Sequence, residues 1–268
     1  MKLLDLVADP DRFQVVDLAQ PYAVGMPSSP THPTFDFALR QRHGDRARGD
    51  GLTGSHEVIV LGGHVGTHMD ALSHVAVDGK LHGGITVNDA LADGRYLSHG
   101  IDQVPPLVRR GVLIDVPRRR GVPLLGPGEA VGLDDVQGPE LRRGDIALVR
   151  TGWAQLWNDP AAYTGNDSGV PGVDLEAATW LAEQGVAAVG ADTISLEHIP
   201  AGTGPAALPV HRTLLFEHGI NLIEVMNLEA LATHLSEADT QEFLFVGAPL
   251  NVIGATGAPM RPIAVIEA

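Results

Sequence analysis

The stretch DLEAATWLAEQGVAAVGA, residues 174–191, joins a helical pattern to a buried strand and so indicates the class of fold. Asp174 is a residue type that caps the N-terminus of a helix. Four apolar residues then recur on one helical face: Leu175, Ala178, Leu181 and Ala182. Gly185 suits the position just after a helix, and the apolar residues 186–191 predict a strand. A helix that runs directly into a buried strand is typical of an α/β protein.

Further strand candidates lie on both sides of this unit and outnumber the helices. They cover residues 15–18, 57–61, 111–116, 145–150, 221–225, 242–246 and 263–266. A second helix is predicted over residues 210–218, ending before Gly219, and four prolines predict an extended loop over residues 21–33. We therefore predict an α/β fold with a mixed β-sheet. Since no linker interrupts the pattern, residues 1–268 are expected to form a single domain.

Composition excludes several classes of function. The chain has 268 residues, a net charge of −15 and no cysteine. The negative charge argues against a nucleic-acid partner, and the lack of cysteine excludes disulfides and zinc–thiolate sites. The N-terminal sequence MKLLDLVADPDRF does not have the pattern of a signal peptide, and no apolar run is long enough for a membrane span. We expect a cytoplasmic protein without a membrane partner.

The stretch GGHVGTHMDALSHV, residues 62–75, carries the predicted chemistry. It gathers His64, His68, Asp70 and His74 within eleven residues. Imidazole and carboxylate ligands suit Zn²⁺ or Mn²⁺, and three protein ligands leave open positions for water and substrate. We predict His64, His68 and Asp70 as metal ligands. Asp70 is also a candidate N-cap of a short helix, which would place His74 one helical turn later.

The mechanism predicted from this motif is hydrolysis. A bound divalent metal activates water and polarises a carbonyl oxygen, while an uncoordinated His74 transfers a proton as general acid or base. The alternative is that these histidines are structural residues of a turn. A second, weaker pair consists of His211, which begins a helix, and Glu224, which ends the following strand. A helix–turn–strand hairpin could bring both to one edge of the sheet. His198 is a further candidate for the site, and it is as weak as this pair.

The segment HVGTHMDALSH resembles the H-x-G-T-H-x-D-A-x-x-H motif of the cyclase-like metal-dependent hydrolases. The resemblance extends in order through VVDLAQPY, RGVLIDVP, GDIALVRTGW, ADTISLEHIP and HRTLLFEHGINLIEVMNL. It implies mixed β-sheet layers flanked by helices, of the swivelling β/β/α type, assembled as a homodimer or homotetramer. It implies Zn²⁺ or Mn²⁺ at His64, His68 and Asp70 and a catalytic role for His74. In two-metal members a late His and Glu complete a second site, which His211 and Glu224 match approximately, with a spacing one residue longer than in the formamidase branch.

The family contains isatin hydrolases and bacterial kynurenine formamidases. The sequence segments DALSHV and DGKLHGG are closer to the isatin hydrolase branch. We therefore expect a hydrolase of an amide or lactam bond in a small molecule, with an aryl ring as one option. The alternatives are an arylformamidase, a lactone hydrolase or cyclase, and a metal-binding protein without turnover. One or two ions, and either metal, remain open.

Substrate specificity is expected to come from loops over the metal. The candidate residues are Tyr22, Met26 and His32 in the proline-rich loop, Trp153, and Asp192 with Thr193 at the end of a strand. Trp153 is as well explained by packing beneath a loop as by lining an aromatic pocket.

Overall fold

The computed structural model describes residues 10–46, 48–204 and 208–267, in which strands dominate and helices are short. The strands are β1 (Phe13–Asp17), β2 (Asp36–Gln41), β3 (His56–Val60), β4 (His68–Asp70), β5 (Leu91–Ala92), β6 (Arg95–Tyr96), β7 (Leu107–Asp115), β8 (Ala130–Val131), β9 (Ile146–Arg150), β10 (Gly172–Val173), β11 (Ala188–Ala191), β12 (Asn221–Glu224), β13 (Glu242–Gly247), β14 (Gly257–Pro259) and β15 (Ile263–Glu267). The helices are α1 (Val87–Ala90), α2 (Val116–Arg120), α3 (Leu133–Val136), α4 (Pro160–Thr164), α5 (Leu175–Glu183), α6 (Pro209–His211) and α7 (Glu229–Glu237). Helix α6 continues as a π-helical segment, Arg212–Glu217.

Nine of these strands form one strongly curled, half-barrel sheet in the order β1-β15-β13-β7-β9-β11-β12-β4-β14. Its centre is parallel, since β7, β9, β11 and β12 run in the same direction. The flanking pairs are antiparallel. The sheet is therefore mixed, as predicted. Three further strand pairs of the described residues lie outside it: the antiparallel pairs β2–β3 and β5–β6, and the parallel pair β8–β10.

Both faces of the sheet are covered, which explains why its central strands are almost continuously apolar. In β9, Ile146 and Leu148 pack into one core with the buried face of α7, whereas Ala147 and Val149 pack into a second core with α5 and the segment after α6. Helices thus lie on each side of the sheet. This confirms the prediction of an α/β fold.

The helix–strand unit that indicates this class is present as predicted. Asp174 caps α5, because its Oδ1 accepts a hydrogen bond from the amide of Ala177 at 2.8 Å. Gly185 follows the helix with a left-handed φ of 72°, a conformation that favours glycine. Strand β11 begins at Ala188, two residues later than predicted. No helix of the described residues is long and apolar enough to cross a membrane.

Several elements differ from the sequence expectation. Strand β2 and helix α7 were not predicted: β2 is exposed almost throughout, and α7 has a short amphipathic pattern, with Leu231, Ala232 and Leu235 buried. The prediction that Asp70 could cap a short helix was wrong. Asp70 ends β4, which pairs with both β12 and β14 and is held extended, and a turn closed by the amide of His74 and the carbonyl of Ala71 at 2.9 Å follows.

Candidate metal centre

Strand β4 sets the geometry of the site. His68 and Asp70 are two residues apart in an extended strand, so their side chains leave the same face of the sheet. In the antiparallel register with β12, Glu224 lies directly opposite His68. All three side chains are buried. Two carboxylates and an imidazole are therefore held on one face by backbone pairing alone.

Asp70 is the hub of the cluster. Its Oδ1 lies 2.6 Å from His64 Nδ1 and 3.4 Å from His68 Nε2. Its Oδ2 lies 3.8 Å from His211 Nε2 and 3.9 Å from His74 Nε2. The carboxylate therefore faces four imidazole rings, two on each oxygen.

The histidines before and after β4 close the cluster at one side. The rings of His64 and His74 stack with centroids 4.0 Å apart. His64 is also close to the start of β14, because its Nε2 lies 3.0 Å from Oγ1 of Thr256, the residue just before this strand. At the neighbouring Gly257 any Cβ would collide with the His64 ring, so this position requires glycine.

The late pair reaches the same point from a distant part of the chain. His211 ends α6 and Glu224 ends β12, and His211 Nε2 lies 3.3 Å from Glu224 Oε1. Glu224 Oε2 lies 3.4 Å from His68 Nε2. The structure thus brings together all six residues that the sequence predicted for metal binding and catalysis.

Burial and neighbouring charge act in opposite directions on these groups. Burial alone would lower the pKa of His68, but Asp70 and Glu224 outweigh it and raise this pKa to about 10. For His74, burial is the larger effect, and it lowers the pKa to about 4. The pKa of Asp70 lies well below its usual value, because the surrounding histidines offset its burial. The field at the centre of the cluster favours positive charge, whereas His74 at its edge is a neutral base at pH 7.

The donor atoms at the centre fit a cation. His68 Nε2, Asp70 Oδ2 and Glu224 Oε1 are buried and have no hydrogen-bond partner. Buried polar atoms are normally paired, so three unpaired ones that converge indicate a missing ligand. Two sets of three described side chains have the spacing of metal ligands: His64, Asp70 and His74, and His68, Asp70 and Glu224. His74 therefore has the position of a ligand as well as that of a base.

The residues predicted to bind substrate lie in different environments. The ring of Tyr22 packs against Gly66, and its hydroxyl lies 2.8 Å from the carbonyl of Val65. Met26 packs against an aromatic cluster of Trp153, Trp157 and Tyr163. Substrate binding by Tyr22 and Met26 stays a prediction.

Trp153 and Asp192 have their polar atoms committed inside the chain. Trp153 is 1% exposed and its Nε1 donates to the carbonyl of Tyr163 at 2.8 Å. Asp192 is fully buried and accepts hydrogen bonds from Thr151 and Gly152, and burial raises its pKa to about 6. Both side chains hold loops together. Thr193 is also buried, but its hydroxyl has no hydrogen-bond partner, and a role for it toward a substrate stays a prediction.

Two further residues lie beside the cluster: Glu197, which was missed from the sequence, and His32, which was expected only as a loop residue near the substrate. Glu197 Oε1 lies 2.5 Å from His211 Nδ1, and the ring of His32 stacks on His64 with centroids 5.4 Å apart. Glu197 lies in ADTISLEHIP, one of the segments that resemble the family, but the resemblance assigned it no role. His198, which had been considered, points elsewhere, since its Nε2 donates to the carbonyl of Gly128 at 2.8 Å. Glu197 could have been recognised from its position among apolar residues in ISLEHIP. A carboxylate in such a segment is expected to be buried, and a buried carboxylate requires a partner.

The chain is similar to several known proteins. An isatin hydrolase from Roseibium aggregatum is 24% identical over 213 residues, which cover 78% of this chain and 73% of that protein. A kynurenine formamidase from Geobacillus thermodenitrificans is 23% identical over 248 residues, covering 92% and 94%. A crystal structure of a novel cyclase superposes with a TM-score of 0.85 at 27% identity, covering 98% of this chain and 93% of the other.

The family model described as "Putative cyclase" matches residues 16–198. The match begins in β1, includes the whole motif from His64 to His74 and extends past β11 to His198. It therefore covers more than half of the chain. The chain belongs to the cyclase family.

Proposed function

We propose that this protein is a metal-dependent hydrolase that cleaves an amide or lactam bond in a small molecule, in the manner of an isatin hydrolase. The observation that carries the proposal is the convergence of unpaired, buried donor atoms from His68, Asp70 and Glu224 beside a neutral His74. The relatives named above support hydrolysis of a C–N bond as the reaction class. We also propose the swivelling β/β/α type as the classification of the fold.

The metal would be held by His64, His68 and Asp70, with His211 and Glu224 completing a second position across Asp70. Zn²⁺ and Mn²⁺ both suit imidazole and carboxylate ligands. Such an ion would lower the pKa of water and polarise a carbonyl oxygen.

His74 is assigned the proton transfer. Its lowered pKa leaves Nε2 free to accept a proton at pH 7, and its side chain keeps 24% of its exposure, unlike that of Asp70. It can take a proton from water and return it to the leaving nitrogen. Asp70, 3.9 Å away, stabilises the imidazolium formed in between.

A second candidate function is arylformamidase activity of the kynurenine type. It is favoured by a formamidase relative that aligns over 92% of the chain. A lactone hydrolase or cyclase would use the same groups. A metal-binding protein without turnover would use His74 only as a ligand, and measured turnover distinguishes it from a hydrolase.

The test combines metal analysis with turnover of two substrates. We expect the purified protein to hold about one or two equivalents of Zn or Mn and to open isatin or deformylate N-formylkynurenine. Chelation should abolish the activity, and re-addition of the metal should restore it. If the protein binds metal but turns over neither compound, the metal site stands and both named substrates are rejected. Failure to bind metal on reconstitution would overturn the proposal.

A further inference from the structure

We propose that Glu197 is a positioning residue: it holds His211 so that Nε2 of the ring faces Asp70 and Glu224, and it thereby builds the second half of the metal centre. The inference rests on the proposed function, because a metal ion is what His211 would bind there. It concerns a residue outside the motif that defines the centre.

The contacts of Glu197 restrain both the backbone and the ring of His211. Its Oε1 lies 2.5 Å from His211 Nδ1 and accepts a hydrogen bond from the amide of His211 at 3.1 Å. Its Oε2 accepts one from the amide of Val210 at 3.2 Å. Both amides belong to the first turn of α6, where backbone donors lack partners within the helix. The same carboxylate therefore caps α6 and fixes the orientation of the imidazole.

The backbone around Glu197 is itself tightly constrained. Leu196 has a φ of 55°, a left-handed conformation that a leucine rarely adopts, and its side chain is fully buried. The backbone of residues 196–197 also lies against Gly172, where any Cβ would collide with the main chain of Glu197. Unfavourable backbone conformations of this kind persist where the surrounding structure fixes them, often at functional sites.

The two buried histidines of the centre have different outer partners. His68 Nδ1 lies 2.7 Å from the carbonyl of Gly66, a neutral acceptor. His211 Nδ1 instead faces a carboxylate. A carboxylate on the far nitrogen of an imidazole fixes its tautomer and increases the basicity of the other nitrogen, which strengthens its bond to a metal. His211 is therefore equipped as a ligand by Glu197.

The charges in the centre favour a bound cation over a plain ion pair between His211 and Glu224. Asp70, Glu197 and Glu224 are all buried, at 0%, 1% and 4% exposure, and buried carboxylates require compensation. The carboxylate nearest to Nε2 of His211 is that of Glu224. Nε2 lies 3.3 Å from Glu224 Oε1, yet that oxygen has no hydrogen-bond partner. The arrangement suits a cation between them.

The test uses Glu197→Gln, which keeps the shape of the side chain but replaces the carboxylate by an amide. Metal-stripped wild type and variant are titrated with Zn²⁺ against a chelating dye. We expect two ions in the wild type. In E197Q the first ion should bind unchanged, and the affinity for the second should fall about 10- to 100-fold, the usual effect of losing such an outer partner. Glu229→Gln is the control, because it removes a partly buried carboxylate that pairs with Arg150, away from the centre, and should keep both ions.

A spectroscopic readout remains informative even if E197Q does not fold. In zinc-loaded wild type labelled with ¹⁵N-histidine, His211 should show a protonated, hydrogen-bonded Nδ1 and a metal-bound Nε2. A free Nδ1, only one zinc ion in the wild type, or two ions bound equally well by E197Q would overturn the inference and leave the hydrolase proposal standing. No zinc binding at all by the wild type would overturn both.

Discussion

At the scale of single residues, the neutral His74 is the clearest functional assignment. We expect His74→Ala to keep its metal and to lose about two to four orders of magnitude in kcat, the usual contribution of a general acid–base group. Metal analysis and steady-state turnover of the same preparation measure both effects. His198→Ala is the control: its ring bonds to the carbonyl of Gly128, so its loss should leave turnover nearly unchanged. Loss of metal from H74A would reassign His74 as a ligand.

The pKa of His74 also predicts the pH dependence. Burial lowers this pKa from 6.5 to about 4, so the neutral form that accepts a proton persists well below the usual pH. The activity that depends on this base should therefore be retained at pH 6 and be lost only as the pH falls toward 4. A profile of kcat/KM, with metal content measured at each pH, tests this. A loss of activity centred on pH 6.5 with the metal retained would contradict it.

Substitution of Asp70 should have a different outcome from that of His74, because the carboxylate of Asp70 lies near all four histidines of the cluster. We expect Asp70→Ala to lose the metal altogether, as measured by elemental analysis after gel filtration. Asp145→Ala serves as the control, since it removes another buried carboxylate, one that pairs with Arg110 at 2.6 Å. Full metal occupancy in D70A would show that the ligand set is wrong.

These residues differ in how far they could be predicted. His64, His68, Asp70 and His74 lie within one short segment, so their spacing alone indicated a common site. His211 and Glu224 depend on a hairpin whose geometry the sequence only suggested. Glu197 was not found and His32 was expected only as a loop residue, because their partners are distant in the chain and a lone acid or histidine has many structural uses.

At the scale of elements, helix α5 offers a test of local stability apart from the metal centre. Removal of its N-cap by Asp174→Ala should cost about 1 kcal/mol of unfolding free energy. For a chain of this size we expect the melting temperature to fall by about 2–4 °C, with turnover unchanged. Glu183→Ala, which removes an exposed carboxylate at the other end of α5, should not lower it. An unchanged melting temperature in D174A would mean that the cap contributes little.

Elements were predictable where the pattern was local. Helix α5 has a cap, an apolar face and a terminal glycine, and the strands β9 and β11 are short apolar runs, so each was found. Strand β4 was not, because three residues with two polar side chains carry no strand pattern. Its conformation comes from pairing with β12 and β14, which lie more than 150 residues later.

At the scale of the whole molecule, the curled sheet explains why the centre needs the whole length of the chain. Strand β4 is inserted between β12 and β14, so the early motif meets the late His–Glu pair across one sheet. The parallel centre in turn positions β11 and β12 side by side. Glu197 and His211 both lie in the segment of chain that connects these two strands. The centre should therefore form only when the sheet is complete.

The hairpin β2–β3 suggests how the molecule assembles. It lies outside the main sheet, and Phe37, Leu39, Val58, Ile59 and Val60 are exposed on it. An isolated two-stranded hairpin is marginally stable in water, and clustered exposed apolar side chains typically mark an interface. Phe37 and Ile59 are paired across the two strands and so lie on the same face. We therefore expect a second copy of the chain to cover this hairpin.

Light scattering coupled to size-exclusion chromatography should give the mass of a homodimer or homotetramer. The double substitution Phe37→Ser with Ile59→Ser should reduce that mass, because it removes apolar area from one face of the hairpin without touching the core. Leu175→Ser, which alters an exposed leucine on α5, is the matched control and should leave the mass unchanged. A monomeric wild type would show that the hairpin stands alone, and its apolar residues would then need another explanation.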